Sequence, residues 1–152
     1  MKKFLALASA VCAMLAAALL WAPAASAGAY GCGGSEVGTY PVDADNGVRY
    51  GWIHVYYDSS TGKNCAVNVA TSAGGYGKAK RMYMHLMECS SGSVRSYEDC
   101  RVIEDDTDVR TDYKYYAGPV SVTAPDHCLI MTGSISYNGQ DAIGRFGPVL
   151  CS

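Results

Sequence analysis

Three histidines, His54, His85 and His127, and the run Glu104-Asp105-Asp106-Thr107-Asp108 are the side chains best suited to chemistry. A histidine set beside a carboxylate and a nucleophile performs general acid–base or acyl-transfer catalysis. His85 and Asp106 are the residues from which a small secreted hydrolase would be assembled. The local signatures of such enzymes are missing, however. The segment closest to a G-x-S-x-G nucleophile elbow, Gly33-Gly34-Ser35-Glu36-Val37, fails at its last position. Neither H-E-x-x-H nor a close histidine pair occurs. His54 and His85 lie among Trp52, Tyr56, Tyr83 and Met87, the setting of structural histidines within strands. No catalytic residue is assigned, and the chain is expected not to be an enzyme.

The acidic run could wrap a hard cation, but such runs read more simply as solvated loops. Asp43-Ala44-Asp45-Asn46-Gly47 begins like a calcium loop, yet its glycine comes one place early and His54 would occupy the last ligand position; an Asp/Asn/Gly turn fits better. No metal and no cofactor is expected. Binding chemistry is more visible, because 12 tyrosines give the chain an aromatic character suited to sugar or peptide contact. Tyr113, Tyr115 and Tyr116 read as alternating along one strand, so at least one points outward, and the three form the candidate binding surface. A second candidate is Arg95, followed by Ser96 near the centre of the segment between Cys89 and Cys100. A tethered loop presenting an arginine would suit inhibition of a trypsin-like protease, since preorganisation reduces the entropy lost on docking.

The N-terminus bears on where these residues work. Met1-Lys2-Lys3, an apolar stretch from Phe4 to Trp21, Pro23 and Ala25-Ser26-Ala27 form the pattern of a secretory signal peptide cleaved after Ala27. Neither cysteine suits lipoprotein processing: Cys12 follows Val11 inside the apolar run, and Cys32 follows Ala29-Tyr30-Gly31, with a bulky aromatic at the second place. Residues 1–27 are therefore expected to be removed, leaving residues 28–152 as a single extracellular domain without a stable membrane anchor. Loss of Lys2 and Lys3 lowers the 12 basic side chains to 10 against 14 acidic ones, a net charge of −4 with histidine neutral. That balance disfavours nucleic acid as a partner. Beyond that exclusion, the charge balance leaves the partner open.

Of seven cysteines, Cys12 leaves with the leader. Cys32, Cys65, Cys89, Cys100, Cys128 and Cys151 remain, an even number that reads as three disulfides in an exported chain. Fifteen pairings are possible. The preferred set joins neighbours in order: Cys32 with Cys65, Cys89 with Cys100, Cys128 with Cys151. Each bridge would contribute roughly 3 kcal/mol by restricting the unfolded chain.

The elements that must position these residues are strands, because two-residue alternation and turn residues recur where a helical period does not. Val48 to Tyr57 alternates with both faces semi-apolar. Asp58 to Asn64 is turn chemistry leading into Cys65-Ala66-Val67-Asn68-Val69. Met82, Met84 and Leu86 share one face, opposite Arg81, Tyr83, His85 and Met87. Val109 to Tyr116 reads as a further strand, Gly118-Pro119 as a bend, and Val120 and Val122 as inward positions. Leu129, Met131, Ile135 and Tyr137 share a parity before Asn138-Gly139, the preferred type I′ hairpin pair, and Ala142 to Phe146 returns. The fold class is all-β: a small disulfide-stapled sandwich or barrel of about seven or eight antiparallel strands.

Thr61-Gly62-Lys63-Asn64-Cys65-Ala66-Val67, Tyr115-Tyr116-Ala117-Gly118-Pro119-Val120, His127-Cys128 and the terminal Cys151 resemble the spore-associated protein A family, small secreted proteins of spore-forming filamentous bacteria. The resemblance implies a location and no biochemical activity. It makes Cys32, Cys65, Cys128 and Cys151 the shared framework and Cys89 with Cys100 an additional pair. The Met82 to Asp108 region departs from the family pattern, so a binding surface there would belong to this chain alone. The resulting expectation is a secreted, non-catalytic protein with a binding or structural role at the cell or spore surface.

Overall fold

The computed structural model describes residues 28–90 and 94–151. The expected leader, residues 1–27, lies outside the described residues. Eight strands follow one another: β1 (Ser35–Ala44), β2 (Arg49–Asp58), β3 (Lys63–Ala70), β4 (Lys80–Cys89), β5 (Val102–Tyr113), β6 (Tyr116–Thr123), β7 (Cys128–Tyr137) and β8 (Gln140–Val149). They form one sheet in the order β5-β4-β7-β8-β1-β2-β3-β6, with every neighbouring pair antiparallel. The sheet curls until β6 meets β5 again, giving a nearly closed barrel.

Alternation decides which side chains fill it. Met82, Met84 and Leu86 of β4, Leu129, Met131 and Ile135 of β7, and Ile53 and Val55 of β2 point inward and are fully buried. Small residues let the walls approach: a β-carbon added at Gly51 would lie 2.5 Å from Ile135 Cδ1, and one at Gly133 would lie 2.9 Å from Ile53. The interior is thus a packed core, as in other small barrels. Asn68 is a polar residue set into it; its Nδ2 donates to the carbonyls of Tyr83 at 3.0 Å and Ser134 at 3.1 Å, tying β3 across the barrel to β4 and β7. At the β7–β8 hairpin, Asn138 and Gly139 have φ of 52° and 75°, the paired left-handed conformation that a type I′ turn demands.

One strand is added to the sequence reading and two expectations are corrected. Ser35–Ala44 is a strand that alternation did not reveal, because a register shift between Glu36 and Gly38 interrupts its period and Pro41 falls within it. The acidic run is not a solvated loop or a cation cradle; Glu104 to Asp108 sits inside β5. The expected strand from Val109 to Tyr116 is two strands, since β5 ends at Tyr113 and β6 begins at Tyr116. Tyr113 and Tyr116 therefore flank a turn that holds Tyr115.

The acidic residues explain the closure. No backbone ladder joins β5 to β6. Instead Glu104, Asp106 and Asp108, on one face of β5, accept hydrogen bonds from the backbone N–H groups of Thr123 (2.7 Å), Ser121 (2.9 Å) and Gly118 (2.7 Å). Carboxylates thus take the place of strand carbonyls and satisfy an edge that would otherwise present free donors.

Disulfides join Cys32 to Cys65, Cys89 to Cys100 and Cys128 to Cys151, the neighbour-in-order arrangement. All three lie at the end of the barrel that carries the β2–β3, β4–β5 and β6–β7 connections. The opposite end is held without covalent links. There Lys80, buried, donates from Nζ to the carbonyls of Gly75 (3.0 Å), Lys78 (3.1 Å) and Lys114 (2.9 Å), fastening the β3–β4 loop to the β5–β6 turn.

Candidate functional site

With the interior filled, the outer wall carries the concave surfaces. The larger is a groove of about 720 Å³ over β4, β7 and β8. Antiparallel register arranges its floor in rows: His85 lies opposite Thr132 and Thr132 opposite Arg145, while Tyr83 lies opposite Ser134 and Ser134 opposite Ile143. Arg81 extends the β4 edge, and Tyr97 and Glu98 overhang from the Cys89–Cys100 loop. That loop is anchored because Val94 and Cys100 pack on Met87 and Ile130, which face outward from β4 and β7.

The electrostatics of the floor are defined by which charges already have partners. His85 Nε2 lies 3.2 Å from Asp105 Oδ2, on the adjacent strand. The ring of Tyr83 stacks edge-on against His85, with centroids 6.1 Å apart. Burial raises the Tyr83 phenol above its ordinary pKa, and Tyr97 and Asp105 push the same way, while Arg145 opposes them. The Glu98 carboxylate is held below its usual range by its own backbone N–H and the Ser96 hydroxyl. Arg81 and Arg145 form no ion pair with any described residue.

The second concavity, about 300 Å³, gathers Tyr113, Tyr115 and Tyr116 with Asp108, Arg110 and Lys114. Tyr113 donates its hydroxyl to Asp108, whose carboxylate also takes the Gly118 N–H. Burial, followed by that hydrogen bond and the carboxylate charge, pushes the Tyr113 phenol up to about 12. The Arg110 guanidinium stands 5.5 Å from the Tyr113 ring centroid. Tyr115 meets Tyr76 edge-on with centroids 5.0 Å apart, and Tyr116 meets Tyr30 in the same way at 5.2 Å. Tyr76 is 55% and Tyr115 48% exposed. Loop and turn are locked together, since Ala70 N donates to Tyr115 O and Gly77 N to Lys114 O.

The remaining candidates are dispersed. Asp106 does not accompany His85: it lies on the opposite face of β5 and accepts from Ser121, so the hydrolase pairing drawn from the sequence does not form. Asp105 takes that place, a shift of one residue that alternation turns into a change of face. His54 hydrogen-bonds Glu36 at 2.7 Å, holding that carboxyl below its usual range together with Thr39. His127 pairs with the buried Glu88. Arg95 is exposed, but its N–H and that of Ser96 both donate to Asp99 Oδ2 at 3.2 Å. The chain bends at Ser96 and Tyr97 and turns at Glu98 and Asp99. Asp43, read from the sequence as part of a turn, lies near the end of β1 and pairs with Arg49 across the β1–β2 hairpin at 2.7 Å. Sequence reasoning placed Arg81, Tyr83 and His85 on one face but missed Thr132, Ser134 and Arg145, whose membership depends on which strands lie beside β4.

No family model and no solved structure matches the chain. Among curated proteins, spore-associated protein A of Streptomyces coelicolor is 30% identical over 137 residues, covering 84% of this chain and 76% of that protein. At that identity and coverage, the chain belongs to the spore-associated protein A family.

Proposed function

We propose that the protein is exported, non-catalytic, and binds a polymer of the cell or spore surface through its tyrosine groove. The observation that carries this reading is the gathering of Tyr113, Tyr115 and Tyr116 into one concavity whose rim, Tyr76 and Tyr115, is largely exposed yet rigidly mounted. Aromatic rings held in place offer flat apolar area with a polar edge at small entropic cost, which suits sugar rings and peptide planes. Three disulfides fit an oxidising compartment outside the cytoplasm. The leader pattern in residues 1–27 and the name of the Streptomyces relative support the same location.

The test is retention of the oxidised protein, residues 28–152, on isolated cell walls and spores. The wild type should be retained well above its reduced and alkylated form. Tyr115→Ala and Tyr76→Ala should each lower affinity about tenfold, the loss of roughly 1 to 1.5 kcal/mol of ring contact. Retention no better than the reduced control would reject the reading. Retention unaffected by both substitutions would reject the tyrosine groove as its agent.

A further inference from the structure

The larger groove is built from residues that the tyrosine surface does not use, and its charges are distributed in an unusual way for an acidic protein. Of its acidic neighbours, Asp105 is engaged with His85 and Glu98 with its own turn and Ser96, while Asp141 stands across Ser136 in the row of Arg81. Its two guanidiniums, Arg81 and Arg145, have no ion-pair partner among the described residues. Unpaired arginines present planar forks of donors that match carboxylate or phosphate oxygens. They stand apart: Arg145 is in the His85–Thr132 row, Arg81 is four residues further along β4, and β7 lies between their strands, so that two interstrand spacings separate them. Strand spacing of about 4.8 Å and a rise of about 3.4 Å per residue put their Cα atoms some 16 Å apart. A single small anion does not span that distance, whereas an oligomer with acid groups on successive units does.

Between the two arginines the floor offers hydroxyls from Tyr83, Thr132 and Ser134, and apolar or aromatic area from Ile143 and the overhanging Tyr97. Alternating hydroxyls and carbon faces are the surface of a sugar chain. The volume, about 720 Å³, is within the range of small-molecule sites and accommodates a short oligosaccharide. We infer that this groove binds an acidic oligosaccharide, its acid groups on Arg81 and Arg145 and an intervening sugar face beneath Tyr97. The acid is a carboxylate or a phosphate carried on the sugar, chemistries that the guanidinium fork serves equally.

Calorimetry with three probes tests the inference: trigalacturonic acid, a phosphorylated trisaccharide of similar length, and neutral maltotriose. At least one acidic probe should bind ten or more times tighter than maltotriose, and its affinity should fall as salt rises. The two acidic arms identify which acid the groove prefers. Arg145→Gln and Arg81→Gln, both at exposed positions, should each weaken acidic binding about tenfold while leaving the thermal midpoint unchanged. Tyr97→Ala should weaken it several-fold. Equal affinity for maltotriose, no binding of either acidic probe at millimolar concentration, or full affinity in both arginine variants would overturn the inference. Tyr115→Ala, which tests the surface-polymer reading, should leave trisaccharide binding intact, so the two ideas fail separately.

Discussion

Tyr113 condenses much of the molecule's local chemistry into one side chain. Its hydroxyl donates to Asp108, and its pKa rises to about 12 from an ordinary 10.0. An acid whose folded-state pKa is raised stabilises the fold fully below its unfolded value and ceases to do so as pH climbs through the folded value. The contribution of Tyr113 should therefore be complete below about pH 10 and vanish towards 12. Several phenols are raised, Tyr40, Tyr56 and Tyr83 among them, and absorbance titration at the phenolate band should lose its component near pH 12 in Tyr113→Phe; a Tyr113→Phe curve identical to wild type in that range would contradict the assignment. Lys80 makes a second residue-scale case. A sequence reader takes it as a surface lysine preceding a strand, yet burial lowers its pKa and three carbonyls surround its ammonium. Lys80→Met should leave those carbonyls without their donor and cost about 2 to 3 kcal/mol, measured by chemical denaturation. Neither role was legible beforehand, because both depend on the loop and turn that the fold brings alongside.

At the scale of elements, the contact between β5 and β6 is a substitution of side chains for a ladder. Glu104, Asp106 and Asp108 alternate along β5, so a period-two spacing of carboxylates was present in the sequence. It was read as a solvated loop because charge density outweighed alternation, and the partner strand could not be known. Asp106→Ala should cost about 1 kcal/mol, a charged hydrogen bond reduced for partial exposure. Asp106→Asn, which keeps an acceptor oxygen, should cost less; equal losses would show that charge and not hydrogen bonding holds the contact. The strongest alternations, in β4 and the β7–β8 hairpin, were legible with their inward faces, since long uninterrupted periods survive without tertiary information. β1 was not, because a register shift and a proline hide its period. The same limit divides the larger groove: Arg81, Tyr83 and His85 share one strand and could be grouped, whereas Arg145 joins them only through sheet order, which the sequence does not state.

Across the whole molecule, the cross-links differ in how far solvent reaches them. Cys151 is exposed, whereas Cys32, Cys65 and Cys89 are buried. Thiol–disulfide exchange needs access to sulfur. Under mild reductant Cys128–Cys151 should open first, as read by differential alkylation and mass measurement, and Cys32–Cys65 should persist. Removing the latter by paired serine substitution should cost about 3 to 4 kcal/mol, as expected for its long closed loop. Because every cross-link lies at one rim and the tyrosine groove at the other, the barrel resembles a cuff stitched along a single hem. Reducing agents should thus loosen the stitched margin directly, accelerating deuterium uptake around Cys89 to Cys100. Uptake at the amides of Lys114 to Tyr116 should respond little until the whole chain unfolds. The tyrosine surface would then outlast partial loss of the covalent bonds at the far margin.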